Sequence, residues 1–361
     1  MLVSMFRTLV SVNTLALLTL VLTGCSANSV TTIEEEPQPT NGETRRFQNL
    51  DAGEKNYPLT CKQDCYKPRS DIRCGSDGLC QYTGNKKAFH GGKDFSVKWL
   101  GHATFAIKTS TGETFLTDPV FNEFDWPINW LFSLDGGKKR EMNLEPLPEL
   151  INATDAVLYS HLHYDHFNKS DIEKLGLKPE YLVPLNVAEH FPSIGANITE
   201  LGWYSSKTID QALVTAVPAH HFSSRTWVPF IYEDNNKDSW NAWLIESKGK
   251  TLLFAGDTGY SEHFKAINTR YGDIDVCLLP IASYYSEESP EWYRYVHMTP
   301  EDALTAADDL NCKVFIPWGY GNASWGMGDL SSHSALTRFL NMAEKVGTSA
   351  EIVILNEGES L

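Results

Sequence analysis

Positive charge is in short supply: 30 Lys and Arg stand against 46 Asp and Glu, for a formal charge of −16. A nucleic-acid binder needs clustered cations facing the phosphate backbone, so that use is excluded and no nucleic-acid partner is expected. Internal repeats are missing too, which removes solenoids and arrays. C-x2-C pairs are absent from the cysteine-rich stretch, which argues against a four-cysteine zinc knuckle. The remainder is ordinary. With 42% hydrophobic and 21% charged residues a globular core is feasible, and 361 residues suit one large α/β domain with appendages.

The N-terminus carries Arg7 and then an apolar stretch from Leu9 to Leu22, which is short for a membrane span and ends in Leu22-Thr23-Gly24-Cys25. That tetrapeptide resembles a bacterial lipobox. Residues 1–24 are therefore expected to be a lipoprotein signal peptide, with lipidated Cys25 holding the chain to a membrane. Ser26 rather than Asp follows, which points to the periplasmic face of the outer membrane. Residues 25–58 are polar without an apolar period and read as a flexible tether. Residues 59–92 form a cysteine-rich segment. In an oxidising compartment Cys61, Cys65, Cys74 and Cys80 are expected to form two disulfides, with three pairings open. Cys277, within Val276-Cys277-Leu278-Leu279, reads as a buried thiol, and Cys312 has no assignment.

Residues 93–361 alternate short strands with helices. Strands are expected at Phe95 to Leu100, Thr104 to Lys108, Thr114 to Thr117, Ala156 to Ser160, Thr251 to Ala255, Asp275 to Ile281, Val314 to Ile316 and Ile352 to Leu355. Ser170-Asp171-Ile172-Glu173 has the form of a capping box opening a helix. Thr299-Pro300-Glu301-Asp302 predicts a second helix reaching Leu310, and a third lies near Ala335 to Lys345.

The chemistry concentrates in His161-Leu162-His163-Tyr164-Asp165-His166, delivered by the strand before it. Three of the 11 histidines fall within six residues. Residues two apart on an extended segment point the same way, so His161 and His163 can grip one ion, and a turn would then bring Asp165 and His166 to the same cavity. Imidazole and carboxylate donors suit a divalent ion of borderline softness such as zinc. Asp257 ends an apolar strand at Gly256, where a buried carboxylate calls for a cation beside it.

The H-x-H-x-D-H run resembles the signature of the metallo-β-lactamase superfamily. Leu116-Thr117-Asp118-Pro119-Val120-Phe121, Pro218-Ala219-His220-His221-Phe222 and Phe254-Ala255-Gly256-Asp257-Thr258-Gly259-Tyr260 look like its other landmarks in order. His297-Met298-Thr299-Pro300-Glu301-Asp302-Ala303 is similar to a segment of the N-acylphosphatidylethanolamine phospholipase D group and its bacterial relatives. The resemblance implies an α/β fold, a four-layer αββα sandwich of two mixed sheets flanked by helices. It implies one or two Zn2+ ions, the first on His161, His163 and His221 and the second on Asp165 and His166, with Asp257 bridging. His221 is preferred to His220 because an aromatic follows it. Asp257 and His297 would be the catalytic pair, and His102 looks like a family position near the cavity. One departure stands out: the family's final histidine is replaced by Pro317 in Ile316-Pro317-Trp318-Gly319. His297 is the first substitute candidate and His333 the second. The function implied is a metal-dependent hydrolase, a phospholipase D-like phosphodiesterase acting on a small-molecule or phospholipid substrate. A lactonase or other small-ester hydrolase, and a metal-binding scaffold that has lost catalysis, are the alternatives. The aromatic stretch from Phe121 to Phe132 would meet lipid or pack as a loop.

Overall fold

The apolar runs between Phe95 and Trp318, joined at the sheet edges by Ser29–Ile33 and Glu351–Ile352, fold as two mixed seven-stranded sheets packed face to face. The computed structural model describes residues 27–42, 46–53, 61, 63–76, 78–84, 94–121, 124–125, 130, 147–225, 237–285, 290–322 and 332–360. Residues 1–24, read above as a signal peptide, Cys25 and most of the aromatic stretch after Phe121 lie outside the described residues.

In chain order the strands are β1 (Ser29–Ile33), β2 (Ile72–Cys74), β3 (Cys80–Tyr82), β4 (Phe95–Gly101), β5 (Thr104–Thr109), β6 (Thr114–Thr117), β7 (Ala156–Leu158) and β8 (Glu180–Pro184). They continue as β9 (Asn197–Leu201), β10 (Ser206–Ile209), β11 (Ala212–Val217), β12 (Ala242–Ser247), β13 (Lys250–Phe254), β14 (Val276–Pro280), β15 (Val314–Trp318) and β16 (Glu351–Ile352). The described helices are α1 (Leu147–Ala153), α2 (Lys169–Leu175), α3 (His263–Tyr271), α4 (Pro290–Val296), α5 (Pro300–Asp309) and α6 (Ser334–Val346).

The first sheet runs β1-β9-β8-β7-β6-β5-β4 and the second β10-β11-β12-β13-β14-β15-β16. Each is antiparallel in one part and parallel in the other, with the switch at β6 and at β13. Strand alternation sorts the side chains into layers. Ala156 and Leu158 of β7 face the core shared with β11 to β15, whereas Val157 packs on Ile172 and Leu175 of α2. Helices α5 and α6 supply Ala303, Leu304, Ala307, Leu336 and Phe339 to the second sheet's side. This is the expected four-layer arrangement.

Local chemistry explains several element ends. Thr299 caps α5: its hydroxyl accepts from the Asp302 amide at 3.1 Å while the Asp302 carboxylate accepts from the Thr299 amide at 3.1 Å. Proline at the next position needs no amide donor there. Helix α2 starts two residues earlier than the Ser170 capping box implies. Asn168 is the cap, accepting from the Asp171 amide at 3.0 Å, and Ser170 donates to Asn168 at 2.7 Å. The C-terminal strand is also shorter than expected, ending at Ile352. In the parallel β15–β16 ladder the Glu351 amide donates to Lys313 O and the Val353 amide to Phe315 O, both at 2.9 Å. Pro317 is the next β15 residue on that side, and without an N–H it offers Val353 no donor.

Two further expectations are corrected. Residues 25–58 are not wholly a free tether. Ser29–Ile33, rich in β-branched residues, adds to the sheet edge parallel to β9, in register from Ser29 with Asn197 to Ile33 with Leu201. Phe47 is buried in the core and bridges Thr40. Cys277 is not a thiol: it is disulfide-bonded to Cys312, which lies between α5 and β15, the strand beside β14. A strand buried on both faces shows no alternation from which such a partner could be read.

The other bridges are Cys61–Cys65 and Cys74–Cys80, which settle the open pairing in favour of adjacent cysteines. This stapled segment docks on α6. Asn341 donates to the carbonyls of Cys65 and Lys67 at 3.1 and 3.0 Å, and Arg69 meets Glu344 at 2.8 Å. Of the three bridges, Cys277–Cys312 closes the longest loop, at a separation of 35 residues. Replacing both cysteines with alanine is expected to cost about 3–4 kcal/mol of unfolding free energy, read from denaturant curves against the oxidised parent chain.

Candidate metal centre

Every strand that feeds the site does so from its C-terminal end. Strand β4 leads to His102, β6 to Asp118, β7 to Ser160 and His161, β11 to His220 and His221, and β13 to Gly256 and Asp257. Gly256 has φ +60, and a Cβ there would lie 2.7 Å from the Ser160 side chain. Glycine thus lets the ends of β7 and β13 meet.

The histidine run turns as its chemistry requires. The amides of His166 and Phe167 both donate to the His163 carbonyl, at 3.1 and 3.0 Å, which folds Asp165 and His166 back beside His161. Arg225 holds the outside of this turn. Its guanidinium donates to Leu162 O at 3.0 Å and to Phe167 O, pairs with Asp125 at 2.8 Å and lies 4.4 Å from the centre of the Tyr164 ring.

Three imidazoles converge first. His163 Nδ1 lies 2.8 Å from His161 Nε2 and 3.2 Å from His221 Nε2. The hydrogen-bond network fixes which protons are present. His221 Nδ1 faces the Val296 carbonyl at 2.9 Å and must donate to it, so Nε2 carries a lone pair. The Ser160 hydroxyl donates to Asp118, so its oxygen accepts from His161 Nδ1 at 2.9 Å, and His161 Nε2 is a lone pair as well. Two lone pairs therefore face one His163 nitrogen, which has at most one proton to offer. A cation resolves that conflict. Nitrogens at zinc–imidazole distance around a tetrahedral ion stand about 3.3 Å apart, close to the observed spacing. Burial, reinforced by neighbouring imidazoles, pushes His161 and His221 well below the usual histidine range, and burial brings His163 down to about 4. All three are neutral near pH 7, the form that ligates.

The second group is carboxylate-rich. His166 Nε2 sits 3.2 Å from Asp257 Oδ2 and 3.5 Å from Asp165 Oδ2, yet makes no well-formed hydrogen bond among the described residues. Burial disfavours charge on His166, but Asp257, Asp165 and Asp118 outweigh it and raise its pKa well above the ordinary value. Asp165 and Asp257 are held well below the carboxylate range; burial opposes this, and the His166 charge and histidine hydrogen bonds overcome it. No Lys or Arg pairs with these carboxylates among the described residues. The field that draws a proton onto His166 would equally draw a divalent ion against its Nε2.

Each expected site residue can be placed. His161, His163 and His221 form one group of donor atoms mutually within 4.8 Å, and His221, Asp257 and His297 form another. Asp165 and His166 group with His102, whose Nε2 meets Asp165 Oδ2 at 3.0 Å. His102 thus braces a carboxylate. His297 Nε2 lies 3.3 Å from Asp257 Oδ2. His220 stays out of these groups, with its ring edge-on to Tyr295 at 4.5 Å. His333 is removed as a candidate: it packs on Tyr320 at the start of α6 and bonds Ser332. Pro317 lies inside β15. By alternation it shares the face of Phe315, whose ring meets Phe339 of α6, while the next residue, Trp318, meets the His102 ring.

Asp118 is the functional residue that sequence reasoning left without a role. Fully buried, it accepts from the Ser160 amide at 2.6 Å, from the Ser160 hydroxyl and from His166 Nδ1 at 2.7 Å. It orients His166 directly and His161 through Ser160. Its signal was an acid ending a buried strand before proline.

Residues 113–320 match the family described as Beta-lactamase superfamily domain. The chain is 31% identical over 288 residues to an uncharacterized protein of Mycobacterium tuberculosis, covering 77% of this chain and 68% of that one. It is 30% identical over 252 residues to N-acyl-phosphatidylethanolamine-hydrolyzing phospholipase D 1 of Caenorhabditis elegans, covering 64% of this chain and 65% of that protein. The solved isothiocyanate hydrolase from Delia radicum gut bacteria shares the fold, with a TM-score of 0.56 at 18% identity over 74% of this chain and 98% of that one. With the family matched over most of the sandwich and the histidine–aspartate cluster at its strand ends, the chain belongs to the metallo-β-lactamase superfamily of metal-dependent hydrolases.

Proposed function

We propose that this hydrolase is a phosphodiesterase of the phospholipase D type, acting on N-acylphosphatidylethanolamine-like lipids with zinc as its metal. His161, His163 and His221 would hold one ion, and Asp165 and His166 a second, with Asp257 shared between them. A divalent ion held there supplies Lewis acidity and brings the pKa of water toward neutrality.

The protein's own groups do the rest. Asp257 Oδ2, between His166 and His297, orients a water molecule and accepts its proton. His297 is buried, with Nε2 turned to Asp257 and Nδ1 without a hydrogen-bond partner among the described residues, which leaves Nδ1 to meet a hydrogen-bond donor of the substrate. Water oxygen bonds to phosphorus as the bond to the leaving alcohol's oxygen breaks, and the proton passes to that alcohol. The products are phosphatidic acid and an N-acylethanolamine.

The observation that carries the reading is His297 placed against Asp257, immediately before the Met298-Thr299-Pro300-Glu301-Asp302-Ala303 segment that resembles this lipase group. The likeness to the C. elegans phospholipase supports it. Membrane attachment through lipidated Cys25 would hold the domain near such lipids. No helix of the described residues is long and apolar enough to cross a membrane. Three disulfides support an exported chain. The test is incubation of zinc-loaded full chain with N-acylated phosphatidylethanolamine vesicles, followed by mass spectrometry. Phosphatidic acid and N-acylethanolamine are expected in equal amounts. Turnover of lactones or simple esters without either product overturns the lipid assignment.

A further inference from the structure

The third imidazole has an unusual anchor. Strand β11 ends at Val217, so the backbone of His221 has no strand neighbour to bond. Its N–H and its C=O are both taken by one side chain 172 residues away: His221 N donates to Asn49 Oδ1 at 2.9 Å, and Asn49 Nδ2 donates to His221 O at 3.0 Å. A primary amide matches this pair because it offers one acceptor and one donor side by side, as a neighbouring strand would. The ring's own orientation depends on the same backbone, since Nδ1 must reach Val296 O for Nε2 to face His161 and His163.

Asn49 is itself held in place. Phe47 is buried in the core, the Gln48 amide donates to Pro39 O at 2.9 Å, and Ser261 donates to Asp51 at 3.3 Å. Gly53, at φ +64, lies against the Nε2 end of the His220 ring, where a Cβ would come 2.5 Å from Nε2. Residues 46–53 thus form a strap that runs across the loop carrying both histidines.

We propose that Asn49 is a positioning residue for the metal centre, setting the direction of His221 through that residue's backbone, so that a stretch of polar leader sequence tunes metal affinity. The inference rests on the metal-centre reading above. Its charge logic is specific. Asn49→Asp keeps the size and the acceptor but loses the donor and turns a carboxylate on the His221 carbonyl. Asn49→Ala removes both bonds, and Leu50→Ala, at a side chain 46% exposed in the same strap, is the control.

The experiment titrates Co2+ into the full chain against a competing chelator and records the visible ligand-field spectrum. Both Asn49 variants are expected to bind cobalt roughly 10-fold or more weakly, within the range for partners of ligating histidines, with an altered spectrum. Leu50→Ala should match the parent. Circular dichroism should stay at the parent value and metal-free unfolding should stay cooperative in all three, with the Asn49 variants melting a few degrees lower because two buried backbone groups of His221 lose their partner. Equal cobalt affinity and an unchanged spectrum in both Asn49 variants overturn the proposal. Loss of cooperative unfolding alongside weak binding overturns it too, because the amide would then hold the domain rather than the imidazole. If the parent chain itself takes up no cobalt, the metal-centre reading fails instead, which separates the two.

Discussion

Replacing His221 with alanine should abolish hydrolysis and leave less than one equivalent of tightly held metal, while the chain still folds. Three protein ligands are the usual set for a catalytic zinc with an open position. His161 and His163 alone, two residues apart on one loop, form an incomplete grip. The loss should exceed the roughly 10–100-fold that removal of an outer partner costs. Folding should survive because the His221 side chain bonds only Val296 O on its far nitrogen, and its neighbours in the cluster are polar. His220→Ala is the matched control: it truncates the adjacent imidazole, which lies outside the donor groups, and should keep its metal. Elemental analysis after dialysis, with a generic phosphodiester assay on the same samples, checks both. Full metal retention in His221→Ala with loss in His220→Ala would reverse the assignment of the two histidines.

How much of this centre could be read from sequence depends on how local each contact is. His161 and His163 share a direction by strand geometry alone, and Asp165 and His166 need only one turn, which the His163 carbonyl closes. That part was legible. So were Asp257, as an acid at the end of a buried strand, and the α5 cap, whose reciprocal bonds lie within four residues. The partners that set tautomers were not. Ser160 is one residue from His161, but its role depends on Asp118, 42 positions away. Asn49 reaches His221 across 172. No periodicity or composition marks such pairs, because they are made by the closing of two sheets. The leader misled for a related reason: Ser29–Ile33 lacks the alternation of a half-buried strand, since four of its five residues stay exposed on the sheet edge. Cys277 misled because its disulfide partner stands 35 residues on in sequence, at the start of the neighbouring strand.

Asp118→Asn offers the sharpest separation of orientation from ligation. The carboxylate of Asp118 receives three hydrogen bonds, from the Ser160 amide, the Ser160 hydroxyl and His166 Nδ1, and all three are donors. Only an acceptor-only group satisfies them together. An asparagine of the same size must turn its NH2 toward at least one of them. In the place of Oδ2 it would face both His166 Nδ1 and the Ser160 hydroxyl: Nδ1 would have to accept, which moves the ring proton to Nε2 and blocks the nitrogen that looks at Asp165 and Asp257, and the hydroxyl, its acceptor gone, would loosen its hold on His161 Nδ1. In the place of Oδ1 it would set donor against donor at the Ser160 amide, beside His161. The first orientation disables proposed ligands without deleting them, and the second leaves a buried backbone amide unpaired. Metal affinity is expected to fall about 10–100-fold, and stability to fall by roughly 1–3 kcal/mol from one mismatched buried polar group. Calorimetric zinc titration paired with denaturant unfolding of the metal-free chain reads the two effects separately. Histidine nitrogen shifts in the folded variant would identify which ring had changed its proton. A variant that binds zinc as tightly as the parent, with both rings keeping their Nδ1 protons, would show that the imidazoles are oriented by the ion and not by Asp118.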